Sequence, residues 1–201
     1  MIAKTAALIE KVRAEKPLVH HITNYVTVND CANITLGIGA SPIMADALGE
    51  AGDIASISKA LVLNMGTLNE RTIPSMIAAG KAANAADIPV VFDPVGAGAS
   101  GLRNETTGQI LKDVKITVLR GNISEIRFIA GLSSSTKGVD AADSDMTADG
   151  DAMAVAKTVA QKLGCVVAIT GAVDVISDGT QGWCVANGHS MLSSLTGTGC
   201  M

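Results

Sequence analysis

The residues best suited to chemistry lie in three short runs. Gly197-Thr198-Gly199-Cys200-Met201 is a glycine-flanked turn that follows a strand-rich stretch. Backbone N–H groups in such a turn are unpaired and point outward, and with the dipole of a helix opening there they form an anion site suited to a transferred phosphate. A plain tight turn uses the same glycines. Asp93-Pro94-Val95-Gly96-Ala97-Gly98 sets a carboxylate at the end of an apolar strand and then frees the backbone with two glycines. That carboxylate can hold Mg²⁺ directly or through water near a polyphosphate, or it can cap a turn. Arg120, also at a strand end, offers a planar fork for phosphate, and Glu125 follows on the first turn of the next helix. The two charges suit a Mg-nucleotide, with a helix-terminal salt bridge as the plainer reading.

Other candidates are weaker. A thiol at a helix N-terminus, as Cys200 would be, is acidified, which opens hydrolase or redox chemistry. However, no His with an Asn or Asp partner sits in a local nucleophile motif, and incoming phosphates would repel a thiolate and raise its pKa again. Phosphoryl transfer needs mainly positioning and charge neutralisation, so a modest base suffices for it. His20 and His21 are adjacent on a strand, point to opposite faces and cannot easily share one ion. A core or hydrogen-bonding role suits them better than zinc. Ser41-Pro42-Ile43-Met44-Ala45-Asp46 joins a rigid turn to an adaptable thioether that either lines a sulfur-containing or aromatic substrate pocket or is simply core.

The elements that must position these groups follow from periodicity. Residues 1–13 form a first helix, and Pro17–Ile22 a strand. Val28–Gly37 is a helix capped near Thr27 or Asn29. Strands at Ala60–Met65, Pro89–Phe92, Ile116–Leu119 and Val166–Thr170 alternate with helices at Glu70–Ala86, Ile123–Ala130 and Gly150–Leu163. The polar segment Gly131–Asp149 reads as the most flexible loop. Val173–Ser177 and Gly182–Ala186, joined through Asp178-Gly179, predict a late antiparallel hairpin. Apolar strands between amphipathic helices predict an α/β fold with a mostly parallel central sheet covered by helices on both faces. Gly66-Thr67, Asp93-Pro94, Arg120-Gly121-Asn122 and Thr170-Gly171 each follow a strand and so describe one rim, where open α/β sheets bind ligands.

Composition narrows the classes. The length of 201 residues suits one domain. Nearly half of the residues are apolar but only Tyr25, Phe92, Phe128 and Trp183 are aromatic, so small side chains must bring helices close to the sheet. A net charge of −4 without a basic stretch argues against nucleic acid or an anionic membrane as partner. Apolar runs are interrupted well before the roughly 18 residues of a membrane span. Cys31, Cys165, Cys184 and Cys200 are scattered and suggest neither a zinc site nor a disulfide framework, which fits a reducing cytoplasm.

In this order, His20-His21-Ile22-Thr23-Asn24, Ser41 to Asp46, Asp93 to Gly98, Arg120-Gly121-Asn122-Ile123-Ser124-Glu125, Thr170-Gly171 and Gly197 to Cys200 closely resemble the hydroxyethylthiazole kinase family. The resemblance covers essentially the whole chain. It implies a ribokinase-like fold and ATP-dependent phosphorylation of 4-methyl-5-(2-hydroxyethyl)thiazole in thiamine biosynthesis or salvage. It further implies Met44, Gly197, Asn24 and Val26 at the thiazole alcohol, Arg120 and Thr170 at the nucleotide, and Asp93 and Glu125 at Mg²⁺ and its waters. Cys200 would stand where most ribokinase-like enzymes carry an aspartate base. Members of the family look like trimers with sites between subunits, so Met44 would meet a neighbour's Cys200. Family members continue past the Gly-x-Gly-Cys turn with several more helices, so the resemblance implies a single kinase domain, residues 1–201, truncated at its C-terminus. A related kinase acting on a pyrimidine or pyridoxal alcohol, and a catalytically inactive binding module, are the competing readings.

Overall fold

Period-two alternation decides where the polar side chains go. In the computed structural model, which describes residues 2–132 and 148–200, eight strands form one sheet in the order β2-β1-β3-β4-β5-β6-β7-β8. The strands are β1 (Leu18–Ile22), β2 (Ser41–Ile43), β3 (Ala60–Asn64), β4 (Val90–Asp93), β5 (Val118–Asn122), β6 (Val166–Thr170), β7 (Asp174–Ser177) and β8 (Gly182–Val185). β2 to β6 pair in parallel, and β7 and β8 add an antiparallel edge. Ile22, Leu61, Leu63, Val90, Phe92, Leu119, Val167 and Ile169 are buried in the core. Their neighbours in the strands, His21, Asn64, Asp93, Arg120 and Thr170, must project to the opposite face.

Helices α1 (Ile2–Glu15), α2 (Val28–Gly37), α3 (Leu48–Ile57), α4 (Thr72–Ala85), α5 (Gly101–Asp113), α6 (Ile123–Leu132) and α7 (Ala148–Leu163) connect the strands. Met76, Ala79 and Ala83 of α4, Ile110 of α5, Ile126 and Ile129 of α6, and Ala156 and Val159 of α7 pack with the core strand residues in one apolar cluster. None of the described helices is long and apolar enough to cross a membrane. The predicted Gly131–Asp149 loop falls largely on residues 133–147, which lie outside the described residues.

The structure departs from the sequence expectations in four places. Helices α3 and α5 carry little periodic signal. Gly49 and Gly52 weaken the α3 pattern, and Ala51 and Ala55 are the buried residues of this helix. α5 buries Thr106 and Thr107 beside Ile110 instead of an apolar stripe, and opens on Ser100, whose Oγ accepts the Arg103 N–H. Ser41-Pro42-Ile43 is an edge strand where a turn was expected, and an edge tolerates the missing N–H of Pro42. β5 runs on to Asn122, because its pairing with β6 continues from Val118↔Val166 to Asn122↔Thr170. Arg120 therefore lies within the strand, not past it.

The two histidines behave as alternation requires. His20 Nε2 lies 2.8 Å from the Ala45 carbonyl oxygen on the core face, whereas His21 Nε2 lies 3.2 Å from Thr35 Oγ1 under α2. Burial, the largest effect on each, lowers both imidazole pKa values, that of His21 to about 4 with the adjacent His20 adding to the shift.

Candidate active site

A cavity of about 390 Å³ opens on the polar-bearing face of the sheet, under α2. His21, Asn64, Asp93 and Arg120 line it from the strands, Cys31 and Thr35 from α2, and Cys200 from the terminal turn. Strand alternation accounts for the first four, since each lies at or near the carboxyl end of a parallel strand and has the same parity.

A chain of buried amides crosses this site. Asn24 Nδ2 donates to Asn64 Oδ1 at 3.0 Å and lies 3.4 Å from Cys200 Sγ. Asn64 Nδ2 in turn donates to Asp93 Oδ2 at 2.8 Å, and Asn64 Oδ1 also accepts the Gly66 N–H. Asn24 Oδ1 accepts both the N–H and the hydroxyl of Thr27, so Thr27 braces Asn24 instead of capping α2 with its side chain. Asn64 escaped the sequence reading because it closes an apolar run. Its parity with Asp93, its register partner across β3 and β4, was the available signal.

Asp93 is 6% exposed. Burial dominates its pKa and raises it from 3.8 to about 6, with Arg120 opposing and the Glu125 charge adding to the rise. Arg120 Nη1 donates to Asp93 Oδ2 at 3.2 Å and also to the Gly199 carbonyl, tying the carboxylate to the terminal turn. Glu125 is equally buried and its two oxygens accept the N–H groups of Gly96 and Asn122, each at 2.8 Å. The Asn122 side chain accepts the Glu125 N–H at 3.0 Å. This reciprocal pair is a capping box with Asn in place of Ser or Thr, so the Asn122-x-x-Glu125 spacing has a structural cause of its own.

The terminal turn differs in one respect from expectation. The Cys200 N–H donates to the Gly197 carbonyl at 2.8 Å, so this amide is spent within the turn and is not free for an anion. Gly197 has φ +90 and lies against Thr27, where a Cβ would come within 2.8 Å of the Thr27 methyl, so only glycine fits. Cys31 Sγ donates to the Cys200 carbonyl at 3.6 Å, a second tie between α2 and the turn.

Asn24, Asp93, Arg120, Gly197 and Cys200 are thus joined by one network of contacts, and Glu125 is tied to the loop after Asp93 through the Gly96 N–H. Thr170 ends β6 beside them and its hydroxyl lies 3.4 Å from the Gly121 carbonyl. Met44 lies beyond β2 and Val26 is 58% exposed, and neither lines the cavity.

Residues 9–201 match the model of the hydroxyethylthiazole kinase family. A hydroxyethylthiazole kinase of Ruminiclostridium cellulolyticum is 69% identical over 194 residues, which cover 96% of this chain and 71% of that protein. One from Clostridium beijerinckii is 65% identical, with 98% and 72% covered. The solved structure of a hydroxyethylthiazole kinase protein from Pyrococcus horikoshii OT3 superposes with a TM-score of 0.86 at 38% identity, covering 96% of this chain and 71% of that one. An adenosine kinase from Schistosoma mansoni, at 13% identity and a TM-score of 0.55, shares the fold alone. Sequence and fold agree: this chain belongs to the hydroxyethylthiazole kinase family.

Proposed function

We propose that the protein transfers the γ-phosphoryl group of ATP to the hydroxyl of 4-methyl-5-(2-hydroxyethyl)thiazole, a step of thiamine biosynthesis or salvage. The observation that carries this reading is the hydrogen-bonded chain Cys200–Asn24–Asn64–Asp93, with Arg120 closing it back to the terminal turn. It brings a cysteine sulfur, a cation and a carboxylate to one rim. In the transfer, the alcohol oxygen bonds to the γ-phosphorus as the bond to the β,γ-bridging oxygen breaks, ADP leaves, and Cys200, acting as the thiolate, takes the alcohol proton and becomes the thiol. Asn24 orients the sulfur through its Nδ2–H. Arg120 and Thr170 bind the nucleotide, and Gly197 and Asn24 wall the thiazole site.

Asp93 and Glu125 fit Mg²⁺ by the chemistry of the donor set: two buried carboxylates raise one another's energy, and hard oxygen donors near a polyphosphate suit this ion. When bound, Mg²⁺ supplies charge neutralisation for the phosphates. The protein's part is to hold Asp93 by Asn64 and Arg120, and Glu125 by two backbone N–H groups.

Met44 and Val26 complete the thiazole site from the neighbouring subunit of a homotrimer in this reading. Exposed Leu36, Ile38 and Leu48, near β2 in the chain, support such an interface. Four free cysteines, two of them buried, support a cytoplasmic setting. The test is incubation with Mg-ATP and the thiazole alcohol, with pyrimidine and pyridoxal alcohols as competitors, followed by phosphorus NMR. A thiazole phosphomonoester with matching ADP release is the expected result, and an unphosphorylated thiazole would overturn the reading.

A further inference from the structure

Arg103 does not belong to any motif read from the sequence, yet its guanidinium makes three hydrogen bonds to backbone carbonyls at the rim. It stands on the first turn of α5, and its guanidinium reaches across two loops. Nη1 donates to the carbonyls of Met65 and Val95, and Nη2 donates to that of Gly66. Met65 and Gly66 follow β3 directly after Asn64, whereas Val95 follows β4 two residues after Asp93. One planar cation thus staples together the loops that leave the two central strands of the site.

The staple continues into the carboxylates. Gly96, with φ +74, lies against the Arg103 side chain, where a Cβ would stand 3.0 Å from Arg103 Cδ. The Gly96 N–H donates to Glu125 Oε1. On the other loop, the Gly66 N–H donates to Asn64 Oδ1, the atom that also accepts from Asn24. Arg103 therefore touches neither carboxylate, but the backbone that it holds contacts Glu125 directly and Asp93 through Asn64. Charge-assisted bonds from one rigid fork to three carbonyls fix geometry in a way that a lysine, a point charge on a flexible stem, does not reproduce.

We propose that Arg103 is a positioning residue for phosphoryl transfer: it locks the loops after β3 and β4 against each other and thereby sets the spacing of Asp93 and Glu125. The proposal rests on the kinase reading for its consequence and on the geometry alone for the lock. Two variants, R103K and R103Q, test it in the whole protein. In metal-free buffer, amide hydrogen exchange at Gly66 and Gly96 should accelerate about tenfold or more in both variants, the change expected when a charge-assisted bond is lost from a local closed state. In kinase assays the KM for Mg-ATP should rise about tenfold while the KM for the thiazole alcohol stays within about twofold, because only the metal-nucleotide half depends on the two carboxylates. Methylguanidinium added to R103A should restore part of the lost Mg-ATP affinity.

Unchanged exchange at Gly66 and Gly96 in R103K and R103Q would overturn the lock. Faster exchange with both KM values unchanged, or a loss that follows only the folded fraction, would overturn the positioning role. A wild-type protein that phosphorylates none of the alcohols would remove the kinase reading, while the exchange measurement would still decide whether Arg103 holds the loops.

Discussion

Replacing Asp93 by Asn should abolish activity and make the protein progressively more stable relative to wild type as pH rises, and the size of that change can be worked out from the site. The folded carboxyl titrates at about 6, against 3.8 ordinarily, because burial outweighs the attraction of Arg120 and the Glu125 charge adds to the rise. Between pH 4 and 6 the folded protein keeps a proton that the unfolded chain has released. Stability therefore falls as pH rises through this window, and the full penalty stands above pH 6. A difference of about two pH units corresponds to about 3 kcal/mol. D93N does not titrate, and its amide oxygen can still accept from Asn64 and Arg120. Whatever fixed offset the amide introduces, the stability gap between D93N and wild type should widen by about 3 kcal/mol from pH 4 to pH 7 in favour of D93N. Urea unfolding followed by far-ultraviolet circular dichroism, in EDTA across that range, measures the gap. A gap that is independent of pH, or that narrows as pH rises, would show that ionised Asp93 is not under electrostatic stress. Adding Mg²⁺ at pH 7 should stabilise the wild type and leave D93N nearly unchanged.

Three other substitutions probe the same site. C200A should lower kcat by about 10²-fold or more with little change in either KM, since a base acts only in the transition state. Its effect on stability should stay within about 1 kcal/mol, because Asn24 keeps its bond to Asn64. N64L removes the acceptor for Asn24 and Gly66 and the donor to Asp93, and should cost about 2–4 kcal/mol in urea unfolding. An equal stability of N64L and wild type would deny the amide chain its structural role. H21L addresses the imidazole held down to about 4. The unfolded chain binds a proton that folded His21 refuses, so this residue makes wild type lose about 3 kcal/mol as pH falls from 6.5 towards 4. H21L should lack that loss, and a persistent slope of the same size in H21L would assign it to another group.

How legible the site was from sequence depended on whether each role was local. Strand ends, the glycines after them and the helix starts that follow are local, and they led to Asp93, Arg120 and Glu125, which the structure brings to one rim. The seven strands read from apolar runs are present, while the eighth, β2, is a three-residue edge whose proline mimics a turn. Helix α5 was hidden because its buried face is threonine, and with it went Arg103, whose three carbonyl partners lie 8 to 38 residues away in the chain. Asn64 was hidden differently, as one polar residue at the end of an apolar run. Both omissions are residues that hold others in place. Side chains that meet a ligand sit in loops with a composition of their own, whereas the groups that orient them bond to backbone carbonyls or to one another, and any helix or strand of suitable length can supply them. The Asn122-x-x-Glu125 spacing shows the converse. Capping fixes this spacing for every helix that begins this way, so the motif alone does not assign metal chemistry to Glu125. What distinguishes this capping box is its second tie: Glu125 Oε1 is held by Gly96, on the loop that carries Asp93, and the helix start is thereby coupled to the other carboxylate.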